Sequence, residues 1–474
     1  MTHDLTPDIC VIGGGAGGMT VATAAAAFGV PVVLIEKDAI GGLNDNDGNI
    51  APAALFAASE RAAVLRGAPR FGFATARCGV DLAAIGARVR EVVDAAAADD
   101  RRERFAALGI RIVAGQARFQ DADTVTVDDV AIRARRYVIA TGAAPAVPAL
   151  PGLADTPHFT SASLLDLAVC PRHLIVIGAG STGLAYAQAF RRFGAAVTVL
   201  ETAVPLAGDD AECAAIVLDA LERDGIVLRA GIDIRAVRRV LARIEIDIVS
   251  AAGAETVTGS HLLVAAGHRP KVEDLDLDAA GVRYGPRGIV VDKALRTSNR
   301  RVYAVGDVTV GQKATHLAQY QAELVVRHAL FRQRVAVDRR VVPAVTYTNP
   351  QLAQVGFLED EARGHAGTIR VLRWPYRANG RALAERATNG HIKIITDRHG
   401  TILGATIVGP EASESITPFA LAVGQRLNIE AFAGLVAPFP TYGDVGKRAA
   451  MAYFMRGLTS SRVRRIIGRL RRSG

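Results

Sequence analysis

Cysteine is scarce, with four in 474 residues, and Cys10, Cys78, Cys170 and Cys213 lie far apart. That scatter suits structural thiols in a reducing cytoplasm better than a disulfide framework or a zinc-ligand cluster. Long apolar runs are lacking as well. Stretches such as 197–200 and 262–266 stop far short of the roughly 18–20 residues that span a bilayer, so no transmembrane helix is expected. Residues 1–8 carry acids and no basic, apolar leader, so no export signal is expected and a cytoplasmic protein is. The body of the chain also lacks any excess of charge. The formal net charge is +9, but seven arginines and no acid lie from Arg456 to the end, which leaves only +2 for the rest. No nucleic-acid partner is expected.

What the chain does have is a 50% hydrophobic composition, enough to bury the cores of several domains. It also has an internal repeat. Asp8-Ile-Cys-Val-Ile-Gly-Gly-Gly-Ala-Gly-Gly18 leads into an alanine-rich helical segment ending at Phe28 and then Val32-Val-Leu-Ile-Glu36. His173-Leu-Ile-Val-Ile-Gly-Ala-Gly-Ser-Thr-Gly183 leads into a helical segment ending at Phe193 and then Val197-Thr-Val-Leu-Glu201. Short apolar runs flanking a glycine turn read as buried parallel strands.

Each unit carries the dinucleotide fingerprint. Gly13, Gly15 and Gly18 supply a tight turn, a close backbone approach to pyrophosphate and helix-on-strand packing; Gly178, Gly180 and Gly183 do the same. One glycine pattern alone would be an ordinary turn; two in context, each followed by an acid, Glu36 or Glu201, point to two nucleotide sites. Residues 201–205 offer a carboxylate and no base, which favours NAD(H) over NADP(H). Arg191 and Arg192, on the preceding helix, are expected to be solvated. Tyr137-Val-Ile-Ala-Thr-Gly142 reads as a strand ending in a turn. Arg301-Val-Tyr-Ala-Val-Gly-Asp307 reads as a strand with a terminal acid that returns to the first unit. Beyond Pro343, strand-like 391–396 and 402–408 precede helical 414–427 and 429–436.

The fold class expected is α/β, with two doubly wound Rossmann-type dinucleotide-binding domains plus a C-terminal α+β module. The expected divisions are a first nucleotide domain over 1–148, interrupted by a second over 149–271 and resumed over 272–340. The α+β module over 341–456 and a basic amphipathic tail over 457–474 follow.

Together these elements resemble the class I pyridine nucleotide-disulfide oxidoreductases, the group of dihydrolipoamide dehydrogenase, glutathione reductase and mercuric reductase. The resemblance spans nearly the whole chain. It includes both fingerprints, Ala140-Thr-Gly-Ala-Ala-Pro145, Ala266-Gly-His-Arg-Pro270, Tyr303-Ala-Val-Gly-Asp307 and the segment from Val342 to Gly356. It implies FAD and NAD(H) as cofactors, with 1–148 and 272–340 as the FAD-binding domain, 149–271 as the NAD-binding domain and 341–456 as an α+β dimerisation domain. It also implies a homodimer, cofactor-binding roles for Thr141, Gly142 and Gly267, and a role for Asp307 at the FAD ribityl region. His316, in Ala314-Thr-His-Leu-Ala318, resembles a segment beside the flavin, with a packed helical histidine as the equal alternative.

The departures from that family bear on the chemistry. Where it carries two cysteines and a lysine, this chain reads Gly41-Gly-Leu-Asn-Asp-Asn-Asp-Gly-Asn-Ile-Ala-Pro-Ala53, placing Asn44 and Asn49 at the cysteine positions and Ala53 at the lysine position. An amide offers no thiolate. Where the family supplies a general base from the partner subunit, the chain reads Phe439-Pro-Thr-Tyr-Gly-Asp444, and Phe439 cannot carry a proton. Ala185 replaces a glutamate expected near the nicotinamide. As a metal loop, residues 44–49 fail the EF-hand register, because Ala54 falls where the bidentate acid is needed; a polar turn leading into a helix is the reading preferred.

The resemblance and its departures imply an NADH oxidoreductase that passes electrons from reduced FAD to a small non-disulfide acceptor, quinone first. Asn44, Asn49 and Phe439 would line the site, with Tyr442 beside Phe439. A non-catalytic or electron-relay flavoprotein is the alternative, and a disulfide reductase using Cys10 or Cys78 a third. In the tail, Val463, Ile466, Ile467 and Leu470 fall within about a 100° helical arc with arginines elsewhere. This predicts a peripheral membrane contact, against a helix packed on its own subunit or a disordered tail.

Overall fold

A computed structural model describes residues 3–41, 50–74, 79–97, 102–458 and 461–473. The chain divides into two compact units. One comprises Met1–Gly178, Arg192–Ala196 and Asp233–Val337; the other comprises Ala179–Arg191, Val197–Ile232 and Asp338–Gly474.

The first unit is built on a five-stranded parallel sheet in the order Val302–Ala304, Arg136–Ile139, Ile9–Ile12, Val32–Glu36, Arg111–Ala114. Apart from the edge strand Arg111–Ala114, its strands read as nearly continuous apolar runs because both faces are covered. Ile9, Val11, Leu34 and Val138 point to the side where helices Ala16–Ala27 and Thr315–Phe331 lie against each other. Cys10, Ile12, Val33, Ile35, Tyr137 and Ile139 point to the other, against Phe119, Val125 and Ile132 of a small second sheet. The period-two alternation of a strand thus sorts one apolar run into two cores. The order reverses between Ile9–Ile12 and Arg136–Ile139, the switch point at which open α/β sheets bind ligands.

In the same unit His173–Ile177 pairs in parallel with His261–Val264. An antiparallel meander of Asp233–Val240, Arg243–Ser250 and Gly253–Gly259 also belongs to it. The meander was not expected, although Ile244, Ile246 and Ile248 are buried at the alternation a half-covered strand requires.

The second unit holds the parallel pair of Ala196–Glu201 and Ile226–Ala230, and helix Ala211–Arg223, N-capped by Asp210 through the Cys213 N–H. It also holds a five-stranded antiparallel sheet in the order Ala344–Thr346, Gln351–Gly356, Ile402–Gly409, His391–Asp397, Ile369–Pro375. The helical stretches expected after it are shorter than predicted. Ala412–Ser415, Thr417–Gly424 and Glu430–Ala433 form separate helices. Pro418 sits in the first turn of the second, and Arg426 takes a left-handed φ of 51° that stops the chain from running on.

Candidate nucleotide-binding site

A cavity of about 430 Å³ opens at the switch point of the first sheet, lined by Gly13, Gly15, Glu36, Thr141, Gly142 and Asp307 among others. That volume lies within the roughly 300–1,000 Å³ of ligand cavities. The turn after Ile9–Ile12 can only be glycine. Gly13 has φ +104°, and a Cβ there would lie 2.5 Å from the Ala140 carbonyl oxygen; at Gly18 it would lie 1.9 Å from the Gly13 carbonyl oxygen. At Gly15 it would meet nothing within 4 Å. Gly13 and Gly18 therefore serve the fold, whereas Gly15 keeps its backbone bare toward the cavity.

Glu36 closes the turn from the next strand. Its Oε2 accepts the Gly14 N–H at 2.5 Å and its Oε1 accepts the Asp38 N–H at 2.8 Å. Across the cavity, the Thr141 hydroxyl donates to the Lys271 carbonyl at 2.7 Å, and the Lys271 N–H donates to the Gly142 carbonyl at 2.9 Å. The Gly267 carbonyl accepts the Ala146 N–H at 2.9 Å, next to the strand pair of His268–Pro270 with Ala143–Pro145. Gly13, Gly15, Glu36, Thr141, Gly142 and Asp307 thus line the cavity itself, while Gly18 and Gly267 are outside its lining.

Asp307 follows the returning strand Val302–Ala304, and its Oδ1 accepts the Ala314 N–H at 3.2 Å. Burial pushes its carboxyl pKa up, while Lys313 and His268 pull the other way. Lys313 donates to the backbone carbonyls of Asp307 and Thr309. The motif reading missed Lys313; its only sequence signal is a lone cation six residues beyond the acid. His268, to which the sequence pattern gave no role, also lines the cavity.

The second fingerprint repeats this geometry. Gly178 has φ +108°, and a Cβ there would lie 2.4 Å from the Ala265 carbonyl oxygen. At Gly180 it would meet nothing within 4 Å, and Gly183 is buried. Glu201 Oε2 accepts the Ala179 N–H at 2.7 Å and Oε1 accepts the Ala203 N–H at 2.9 Å. Both acids thus bind the N–H 22 residues earlier and the N–H two residues later.

Asn44, Asn49, the loop around them and Cys78 lie outside the described residues. Ala53 is exposed on helix Ile50–Gly67, and Ala185 is buried in helix Ser181–Phe193. Phe439 is 72% exposed, and the Tyr442 hydroxyl donates to Glu385 at 2.5 Å. His316 stands exposed in the first turn of Thr315–Phe331, which corrects the packed alternative. The solvated reading of Arg192 is corrected too. Arg192 is buried, and Arg191 Nε donates to the Asp224 carbonyl at 2.8 Å. Cys10 and Cys213 are fully buried, and desolvation pushes both thiol pKa values up, away from the thiolate.

Both turns present bare glycine backbone and oriented N–H groups, which is what a dinucleotide pyrophosphate requires. Comparison with known proteins agrees with that chemistry. Residues 7–322 match the pyridine nucleotide-disulphide oxidoreductase family, and residues 342–450 match its dimerisation domain, which supports a homodimer. The chain is 31% identical over 449 residues to a mercuric reductase of Lysinibacillus sphaericus, covering 94% of this chain and 82% of that protein. It is 31% identical over 455 residues to a dihydrolipoyl dehydrogenase of Geobacillus stearothermophilus, covering 93% and 94%. Among solved structures, LpdA of Mycobacterium tuberculosis superposes with a TM-score of 0.86 at 28% identity, covering 95% and 99%. The HOCl-induced flavoprotein disulfide reductase RclA of Escherichia coli superposes at 0.83 and 26%, covering 94% and 99%. Proteins of this kind use FAD and NAD(P)H. The chain belongs to the pyridine nucleotide-disulphide oxidoreductase family, as a flavoprotein with a mixed α/β fold.

Proposed function

We propose that this protein is a homodimeric, NADH-dependent flavoprotein reductase that delivers electrons to a small acceptor other than a disulfide, with quinones the first class to test. The sequence carries the reading: both glycine turns keep the nucleotide geometry, and on the family resemblance Asn44 and Asn49 fall in the register of the redox cysteines. The burial of Cys10 and Cys213 supports it, because neither thiol is set up to replace the missing pair. Phe439, at the position of the general base, leaves no acid-base group for a dithiol.

In this reading Gly13, Gly15, Gly18, Glu36, Thr141, Gly142, Gly267 and Asp307 hold FAD, and Gly178, Gly180, Gly183 and Glu201 hold NADH. When bound, FAD supplies the two-electron centre that takes hydride from NADH. The residues of the chain bind and orient: glycine backbone N–H groups face phosphate, and the two glutamates fix the turns and meet ribose hydroxyls. Asn44 and Asn49 offer amide N–H donors to a carbonyl acceptor, and Phe439 and Tyr442 of a second subunit complete an apolar wall. The division into an interrupted FAD domain over 1–148 and 272–340, an NAD domain over 149–271 and a dimerisation domain over 341–456 belongs to the same proposal. So does a peripheral position at the inner face of the membrane, through residues 457–474.

Rapid anaerobic mixing with NADH, followed by NADH oxidation with quinones, dyes, metal ions and disulfides, tests the reading. Fast bleaching of the flavin band and turnover with quinones are expected. Turnover of lipoamide or glutathione disulfide at enzyme rates would overturn it. Absence of bleaching over minutes would favour a binding module instead.

A further inference from the structure

The last helix of the chain, Ser461–Ser473, leaves its apolar side exposed. Ile466, Ile467 and Leu470 are 57%, 50% and 66% exposed. They lie on one arc, because positions separated by three and four residues share a helix face. Arg465, Arg469, Arg471 and Arg472 are exposed on the same helix, which contains no acid. Among the described residues no helix is long and apolar enough to cross a membrane, so contact with lipid would have to be made from the surface.

We propose that this helix lies in the headgroup boundary of an anionic phospholipid bilayer, with Ile466, Ile467 and Leu470 in the acyl layer and the arginines on lipid phosphates. This deepens the peripheral placement above and is independent of the identity of the electron acceptor. Two features on the helix select the partner. An anionic polymer would engage the arginines but has no use for three exposed aliphatic side chains on one arc. A second copy of the helix would cover the aliphatic side chains but would bring two sets of arginines together with no carboxylate between them. An anionic bilayer satisfies both faces at once.

The test is co-sedimentation of the full-length holoprotein with vesicles of phosphatidylglycerol and phosphatidylcholine in equal parts, against pure phosphatidylcholine. No NADH or acceptor is present, so the result stands whatever the redox assay shows. Partitioning onto the anionic vesicles should exceed that onto the neutral ones by about tenfold or more and fall as salt is raised. Ile467→Glu with Leu470→Glu, and separately Arg469→Gln with Arg472→Gln, should each lower it by about tenfold while FAD content is unchanged. Equal binding to both vesicle types, or variants that bind as the parent does, would overturn the proposal. So would absence of vesicle binding with a particle size that changes in the variants, which would identify a second copy as the occupant.

Discussion

The Glu36 carboxylate accepts the backbone N–H of Gly14 at 2.5 Å, so the acid that ends the second strand also holds the turn that follows the first. With its other oxygen on the Asp38 N–H, Glu36 is committed to backbone shape as well as to charge. Glu36→Ala should weaken FAD binding by about ten- to a hundredfold, the equivalent of roughly 1.5–3 kcal/mol for hydrogen bonds to a charged group. Titration of the apoprotein with FAD, followed by flavin fluorescence, measures this. Glu201→Ala, which removes the matching bond to Ala179, should leave FAD content intact and raise the KM for NADH by about tenfold or more.

The glycines of the first turn should separate by phenotype. Gly18→Ala places a methyl 1.9 Å from the Gly13 carbonyl oxygen, so the turn must move; loss of soluble, folded protein is expected. Gly15→Ala meets nothing within 4 Å in the protein. That variant should fold with an unchanged circular dichroism spectrum and bind FAD more weakly, because the added methyl stands where the pyrophosphate approaches. Normal FAD affinity in Gly15→Ala would remove Gly15 from the site.

These contrasts show what was legible in the sequence. The fingerprints could be read because their requirements are local: Gly13 and Gly178, with φ of +104° and +108°, each sit on a carbonyl that no side chain would clear. The return of Val302–Ala304 to the first sheet was readable for a similar reason, an apolar run ending in an acid. Lys313 was not legible, since it bonds the backbone carbonyls of Asp307 and Thr309, six and four residues back along an irregular segment that no motif spacing describes. Nor was the ion pair of Lys393 with Asp210, which joins positions 183 residues apart. Arg192 was misread because a charged residue on a helix is usually solvated, and only packing reveals the exception.

Lys313 should set the redox properties of the bound cofactor. It lies against Asp307, which lines the cavity, and adds positive charge there. Positive charge favours the electron-rich reduced flavin, so Lys313→Met should lower the two-electron midpoint potential by about 30 mV or more, roughly 1.4 kcal/mol. Lys313→Arg should retain most of the parent value. Spectroelectrochemical titration reads both, and an unchanged potential in Lys313→Met would remove the lysine from this role.

A buried ion pair holds helix Ala211–Arg223 on the antiparallel sheet. Lys393 Nζ lies 2.7 Å from Asp210 Oδ2, each side chain 5% exposed, with Glu359 at 3.0 Å and Glu212 at 3.4 Å. Lys393→Met leaves the Asp210 carboxylate buried without its cation and should cost about 3–5 kcal/mol in urea unfolding. Adding Asp210→Asn removes that buried charge yet keeps a residue able to cap the helix. The double variant should therefore recover part of the loss, and a simple sum of the two single effects would contradict the coupling.

The neighbouring Asp209 should make stability depend on pH. Burial first, and the charge of Asp210 second, raise its pKa from 3.8 to about 6. The folded state therefore binds the proton more tightly than the unfolded state does. The stabilisation is fully present below the unfolded value near 3.8 and is lost as the pH rises through about 6. Asp209→Asn, which cannot ionise, should escape that loss. It should be more stable than the parent by about 1–3 kcal/mol at pH 8 and close to it at pH 4. Urea unfolding across that range checks the sign, since a variant weaker than the parent at pH 8 would mean that the Asp209 charge is stabilising where it sits.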